Sequence, residues 1–79
     1  MFKILVVEDD NSLKRLFCKT LEKNNFITFP AESAAEALDI LDEESIDLII
    51  TDIMMPGIDG FDFIRQLRDA NIDLPVLII

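Results

Sequence analysis

An apolar run followed directly by three acidic residues occupies residues 2–10, which read FKILVVEDD. A second apolar run, LIIT at residues 48–51, is followed by Asp52 in the same way. Continuous runs of this kind are typical of strands buried on both faces, as in a parallel sheet. Because the carboxyl ends of neighbouring parallel strands share one edge, where open α/β sheets bind ligands, we expect these acids to converge there.

Carboxylates that converge at one edge need a counterion. Like charges a few ångströms apart disfavour one another's ionised form, and this costs free energy unless a cation neutralises them. Oxygen ligands suit hard divalent cations, so the residues alone predict a Mg²⁺ site between the two strand ends.

The segment that follows the first acids has the pattern of an amphipathic helix. Apolar residues recur at three- and four-residue spacing over residues 11–24, and charged residues fill most of the other positions. Asp10 or Asn11 can cap the N-terminus of this helix. Asn24 and Asn25 can end it, because asparagine tolerates the left-handed backbone conformation.

A short strand and a second helix come next. Residues 26–29 read as a strand that we expect to stop at Pro30, whose missing N–H suits a strand end or an edge. Ser33 and Glu36 have the spacing of a capping box, which predicts a helix from there to about Asp42.

The rest of the chain repeats this alternation. Strands are predicted over residues 46–51 and 74–79, with a turn over residues 54–60 that contains Pro56, Gly57 and Gly60. A third helical period covers residues 61–71, and we expect Phe61 in this helix and Phe17 in the first to pack in the core. The order β-α-β-α-β-α-β predicts an α/β fold, a doubly wound parallel sheet with helices on both faces.

Composition limits the classes of function. The chain has 79 residues, enough for one small domain, with 51% hydrophobic residues and a net charge of −9. This charge argues against binding to nucleic acid or an anionic membrane. Cys18 is the only cysteine, so no internal disulfide is expected, and it fits as a small buried apolar residue. Without a membrane span or signal peptide, the sequence predicts a soluble cytoplasmic chain.

Three segments together resemble the receiver domains of two-component response regulators. They are KILVVEDD at residues 3–10, DLIITD at residues 47–52 and MPGIDG at residues 55–60. The resemblance runs over the whole chain and implies a flavodoxin-like fold. Residues 1–79 are then expected to be the N-terminal part of a receiver domain.

The resemblance also implies a function. Asp52 is expected to be the phosphoacceptor, taking a phosphoryl group from a phosphohistidine on a sensor histidine kinase. It implies that Mg²⁺ is held by Asp9, Asp52 and the backbone carbonyl of Met54, with Glu8 acting mainly through a bound water. A receiver of this kind is a phosphoacceptor and not an enzyme, and its parent protein often carries a DNA-binding domain.

The chain departs from the family pattern at its end. A complete receiver has five strands and five helices, whereas this sequence stops on the fourth predicted strand, before the family's hydroxyl residue and its lysine. The last helix-strand-helix is therefore expected to be missing and signalling through the usual face lost. The apolar residues 74–79 then form an open sheet edge, which predicts a homodimer or larger assembly.

Two other functions are open from the sequence. The chain can be a self-associating structural or interaction piece that is never phosphorylated. It can also be compared with Mg²⁺-dependent phosphatases that use an aspartate after a strand. That class needs a second aspartate two residues past the nucleophile, where this sequence has Met54.

Overall fold

The computed structural model describes residues 1–52, 54–55 and 58–79. In chain order the elements are β1 (Lys3–Val7), α1 (Asn11–Lys23), β2 (Ile27–Ala31), α2 (Ala34–Glu43), β3 (Leu48–Thr51), β4 (Met54–Met55), β5 (Ile58–Asp59), α3 (Gly60–Asp69) and β6 (Val76–Ile78). Within these residues no helix is long and apolar enough to cross a membrane.

Four of the strands form a parallel sheet in the order β2-β1-β3-β6, with helices as the crossovers between them. This confirms the predicted α/β class and the alternation of strands with helices. The segment predicted only as a turn also holds a short antiparallel pair, β4 with β5. Pro56 and Gly57, which were expected to shape that turn, lie outside the described residues.

The expected end of the second strand was wrong. Pro30 lies inside β2, opposite Val6 of β1, and the strand continues to Ala31. Among the described strands, β2 lies at an edge of the sheet and has β1 as its neighbour. An edge strand tolerates proline because a backbone N–H that faces away from the sheet has no strand partner to lose.

The predicted helix caps are confirmed. The Oδ1 atom of Asp10 accepts a hydrogen bond from the backbone N–H of Leu13 at 3.1 Å, which resolves the choice between Asp10 and Asn11. Ser33 accepts from the backbone N–H of Glu36 at 3.2 Å. Asn25, just after α1, has a φ of 69°, the left-handed conformation expected of it.

The core lies on both faces of the parallel sheet. On one face, α2 and α3 pack against alternate residues of β1 and β3. Its buried members are Leu5, Val7, Ala31, Ala34, Ala37, Ile46, Ile49, Phe63 and Leu67. On the other face, buried Ile4, Val6 and Ile50 are covered by half-buried residues that include Phe17, Cys18 and Leu21 of α1.

The helical phase of α3 differs from the prediction. Phe61 was expected in the core but is 55% exposed, whereas Phe63 is fully buried. Phe63 and Leu67 are four residues apart, so they share one face of the helix, and that face meets the sheet. Phe17 of α1 does pack against the core, although it is only partly buried.

Candidate functional site

The backbone aligns the ends of β1 and β3 at the carboxyl edge of the sheet. Val7 and Thr51 are paired in register, so the next residues along the two strands, Glu8 and Asp52, are neighbours. Asp52 donates its backbone N–H to the carbonyl of Val7 at 3.2 Å, and Glu8 donates its own to Ala31 at 3.0 Å. These bonds extend the ladders one residue past the strands and fix the backbone beneath the acidic side chains.

Three carboxylates come together at this edge. Each of Glu8, Asp9 and Asp52 contributes an oxygen, and these oxygens all lie within 4.8 Å of one another. Glu8 is buried, Asp52 is half-buried and Asp9 is exposed, so the cluster runs from the interior to the solvent. The structure thus unites three of the four residues named as metal ligands from the sequence.

The fourth residue of that set, Met54, contributes only its backbone to the prediction. It begins β4 two residues after Asp52, and its register partner is Asp59. Asp10 is not among the predicted metal ligands, and its side chain caps α1.

Glu8 is the most unusual group of the cluster because it is a carboxyl only 2% exposed. Burial raises the pKa of Glu8, and the negative charge of Asp52 raises it further. The backbone N–H of Asp10 donates to Glu8 Oε1 at 3.2 Å, and this hydrogen bond opposes the rise. The second oxygen of Glu8, Oε2, is buried without a hydrogen-bond partner among the described residues. A buried oxygen of this kind costs free energy unless a donor or a cation reaches it.

The donor set fits a hard divalent cation. The side chains of Glu8, Asp9 and Asp52 offer carboxylate oxygens, and the like charges of Glu8 and Asp52 raise the energy of the ionised cluster. Glu8 Oε2 also lacks a hydrogen-bond partner among the described residues. Mg²⁺ prefers oxygen ligands and retains several waters, so a few protein oxygens suffice. The exposed position of Asp9 leaves room for those waters.

Sequence reasoning overlooked one polar group at this edge. Thr51 is fully buried, and its Oγ1 donates a hydrogen bond to the backbone carbonyl of Asp52 at 3.1 Å. The feature that could have revealed it is a hydroxyl residue ending the otherwise apolar run LIIT, immediately before the acid.

The sequence is similar to known proteins of one family. A family model described as "Response regulator receiver domain" matches residues 4–79. The chain is 36% identical over 77 residues to the response regulator MprA of Mycolicibacterium vanbaalenii, an alignment covering 98% of this chain and 33% of that protein. The chain therefore spans about a third of the length of the curated relatives it matches.

Solved structures share the fold as well. The receiver domain of the Francisella response regulator 1452 is 35% identical, with a TM-score of 0.91 over 99% of this chain and 64% of that one. The response regulator TrrA of Thermotoga maritima, solved in complex with Mg²⁺-BeF, is 33% identical. Its TM-score is 0.87, and the match covers 96% of this chain and 66% of that chain.

Proposed function

The chain belongs to the response regulator receiver domain family, and from that premise we propose that it is a phosphoacceptor module whose phosphorylated residue is Asp52. The observation that carries this proposal is the convergence of Glu8, Asp9 and Asp52, whose oxygens lie within 4.8 Å of one another at the carboxyl edge of the sheet. Asp52 is the member of this cluster that follows β3, one of the two inner strands of the sheet.

The proposed reaction moves a phosphoryl group between two proteins. A carboxylate oxygen of Asp52 attacks the phosphorus of a phosphohistidine, and an O–P bond forms as the P–N bond breaks. The electron pair of the broken bond stays on the imidazole nitrogen, and the product is an aspartyl phosphate. Asp52 is only half-buried, so an incoming phosphoryl group can reach it. Positioning and charge stabilisation supply most of the catalysis in such a transfer.

We propose Mg²⁺ as the cofactor, held by Asp9, Asp52 and the backbone carbonyl of Met54, with Glu8 acting mainly through a bound water. When bound, the cation neutralises negative charge that spreads over the phosphoryl oxygens in the transition state. The orphaned Oε2 of Glu8 supports this set, since a coordinated water supplies the donor that it lacks among the described residues. The related TrrA protein was solved in complex with Mg²⁺-BeF.

The partner that fits this role is a sensor histidine kinase, and the cytoplasm is the compartment in which we place the exchange. In this proposal the chain is the acceptor in a phosphorelay and not an enzyme acting on a separate substrate. We propose no contact between this acidic segment and nucleic acid, because its net charge is −9.

The test is phosphorylation by a small donor. The chain is incubated with Mg²⁺ and acetyl phosphate, and its intact mass is measured by mass spectrometry. We expect an adduct of one phosphoryl group on the wild-type chain, none on Asp52→Asn and none when EDTA removes the cation.

Asp42→Asn is the matched control, because it makes the same change at an exposed aspartate on α2, away from the sheet edge. It should be labelled like the wild type. An adduct that persists in Asp52→Asn, or that forms equally well in EDTA, contradicts the site assignment.

A second function is favoured by a separate observation, the exposure of the last strand. β6 lies at the edge of the sheet, and its residues Leu77 and Ile78 are 52% and 37% exposed, with Ile79 after them 44% exposed. An apolar edge strand can pair with the same strand of a second chain. We therefore also propose a homodimer or larger assembly, in which the chain serves as an interaction piece.

Sedimentation velocity tests this second proposal. We expect a dimer or larger species at micromolar concentration, and Leu77→Lys should shift the chain towards monomer by placing a charge at the open edge. A folded wild-type chain that sediments as a monomer excludes the assembly.

A further inference from the structure

The carboxyl end of β3 holds a buried hydroxyl that the proposed chemistry does not use directly. Thr51 is fully buried and is the last residue of that strand. Its Oγ1 donates to the backbone carbonyl of Asp52, the next residue, at 3.1 Å. A buried hydroxyl normally finds a partner, and here the partner is the peptide that leads away from Asp52.

Backbone hydrogen bonds also hold the peptide that joins Thr51 to Asp52. The N–H of Asp52 donates to Val7 at 3.2 Å, and the carbonyl of Thr51 accepts from Ile79 at 3.0 Å. The peptide between Thr51 and Asp52 is thus anchored to Val7 of β1 on one side and to Ile79, the residue after β6, on the other, while the carbonyl of Asp52 lies beyond the end of β3. The threonine hydroxyl extends the anchoring to that carbonyl.

The direction of the side chains separates this role from a direct one. Side chains alternate across a sheet, so Thr51 follows Ile49 on the face covered by α2 and α3, whereas Asp52 follows Ile50 on the α1 face. Thr51 therefore acts on its neighbour through the backbone carbonyl to which its hydroxyl donates.

We propose that Thr51 is a positioning residue, whose hydroxyl holds the Asp52 backbone so that the Asp52 carboxylate faces Glu8 and Asp9. This inference rests on the proposed phosphoacceptor function. Both the cation and the phosphoryl group require the Asp52 carboxylate in one orientation, and small displacements of such a group lower its reactivity.

The test removes the hydroxyl while keeping the shape of the side chain. Thr51→Val, Thr51→Ser and wild type are compared for the Mg²⁺ dissociation constant, by titration of the folded chain, and for the rate of labelling by acetyl phosphate. We expect Thr51→Val to weaken Mg²⁺ binding about fivefold, the effect of one uncharged hydrogen bond. It should slow labelling at saturating donor more than it changes the donor concentration at half-saturation.

Two variants separate positioning from a loss of stability. Thr51→Ser keeps the hydroxyl and should restore both the affinity and the rate. Ile50→Val removes a methylene from the neighbouring buried residue of β3, so it lowers the thermal midpoint without touching the hydroxyl. It should leave Mg²⁺ affinity and labelling within twofold of wild type at temperatures where all variants are folded.

The outcomes distinguish a failure of the Thr51 role from a failure of the proposed phosphoacceptor function. A wild-type chain that neither binds Mg²⁺ nor is labelled overturns the proposed function, and the role of Thr51 with it. If the wild type is functional, three results would overturn the role of Thr51 alone. They are a Thr51→Val variant that behaves like the wild type, a Thr51→Ser variant as impaired as Thr51→Val, and an Ile50→Val variant that is equally impaired.

Discussion

The two faces of the parallel sheet are covered to different extents. On one face, α2 and α3 contribute buried Ala34, Ala37, Phe63 and Leu67 to the core. On the other face, α1 contributes no fully buried residue, and its Leu16 is 60% exposed. Both faces of β1 and β3 are apolar, so the difference comes from the helices that cover them. In the described residues two helices cover the first face and one covers the second, so more helix side chains are buried on the first.

Two members of the acidic cluster, Glu8 and Asp52, lie on the register of the lightly covered face. Because side chains alternate along a strand, Glu8 continues the series of Ile4 and Val6, and Asp52 follows Ile50, all on the α1 side. Glu8 is nevertheless buried on this side, whereas Asp52 is half-buried and Asp9 is exposed to solvent. In the described residues the side covered by α2 and α3 is the densely packed face, and the α1 side is the open face.

The largest expected effect tests the densely packed face. Phe63→Ala removes a fully buried ring between α3 and the sheet, and we expect it to lower the free energy of unfolding by about 3–5 kcal/mol, measured by urea denaturation. Such a loss can unfold a small domain, so Phe63→Leu provides a milder variant. Phe61→Ala on the same helix, where the ring is 55% exposed, is the control and should cost much less.

The same substitution on the other face should cost less. Phe17→Ala removes a half-buried ring of α1, and we expect a loss of about 1–2 kcal/mol in the free energy of unfolding. The measurement is again urea denaturation, under the conditions used for Phe63. An equal loss for the two phenylalanines would mean that the faces contribute alike and that the contrast drawn from exposure is wrong.

Much of the fold could be predicted because its determinants are local. The caps at Asp10 and Ser33 and the left-handed Asn25 depend on neighbours a few residues away, and each was predicted and found. The phase of α3 could not be predicted, because Phe61 and Phe63 both have apolar partners at helical spacing. Packing against the sheet, a long-range contact, decided in favour of Phe63.

The candidate site was also predicted in part. Strand ends followed by acids predicted that Glu8, Asp9 and Asp52 converge, because strand register in a parallel sheet places them at one edge. The sequence did not predict how their burial differs. Glu8 is 2% exposed while the adjacent Asp9 is exposed, and this difference depends on long-range packing around the strand end rather than on the local sequence. The roles of these residues in binding and chemistry stay predictions.

The smallest expected effect concerns Glu8, the buried carboxyl at the carboxyl edge of the sheet. Burial raises the pKa of Glu8 above its ordinary value of 4.5, the N–H of Asp10 counteracts this, and the charge of Asp52 adds to the rise. The folded chain therefore keeps a proton on Glu8 at pH values where the unfolded chain has lost it. The stability from this group is complete below pH 4.5 and falls as pH rises through the folded pKa.

Glu8→Gln should remove that dependence. The glutamine amide oxygen still accepts from the N–H of Asp10, and its NH₂ group can donate to the carboxylate of Asp52, so a repulsion becomes a hydrogen bond. In EDTA at neutral pH we expect the variant to be more stable than wild type by about 1 kcal/mol, with the difference vanishing below pH 4.5. Thermal unfolding across this pH range measures both effects.

The same substitution should act in the opposite direction once the cation is present. In the proposed site Mg²⁺ would bind the folded state and offset the cost of the ionised Glu8 in the wild type. Glu8→Gln removes one negative charge from the cluster and should therefore gain less stability from added Mg²⁺. Glu43→Gln, at an exposed position on α2, is the control and should show neither the pH-dependent gain nor the weaker response. A Glu8→Gln chain that is less stable than wild type in EDTA at neutral pH would show that the buried carboxyl stabilises the fold without a cation. The buried carboxyl of Glu8 would then contribute to the packing of the open face, and its charge would not be a cost that only a bound cation offsets.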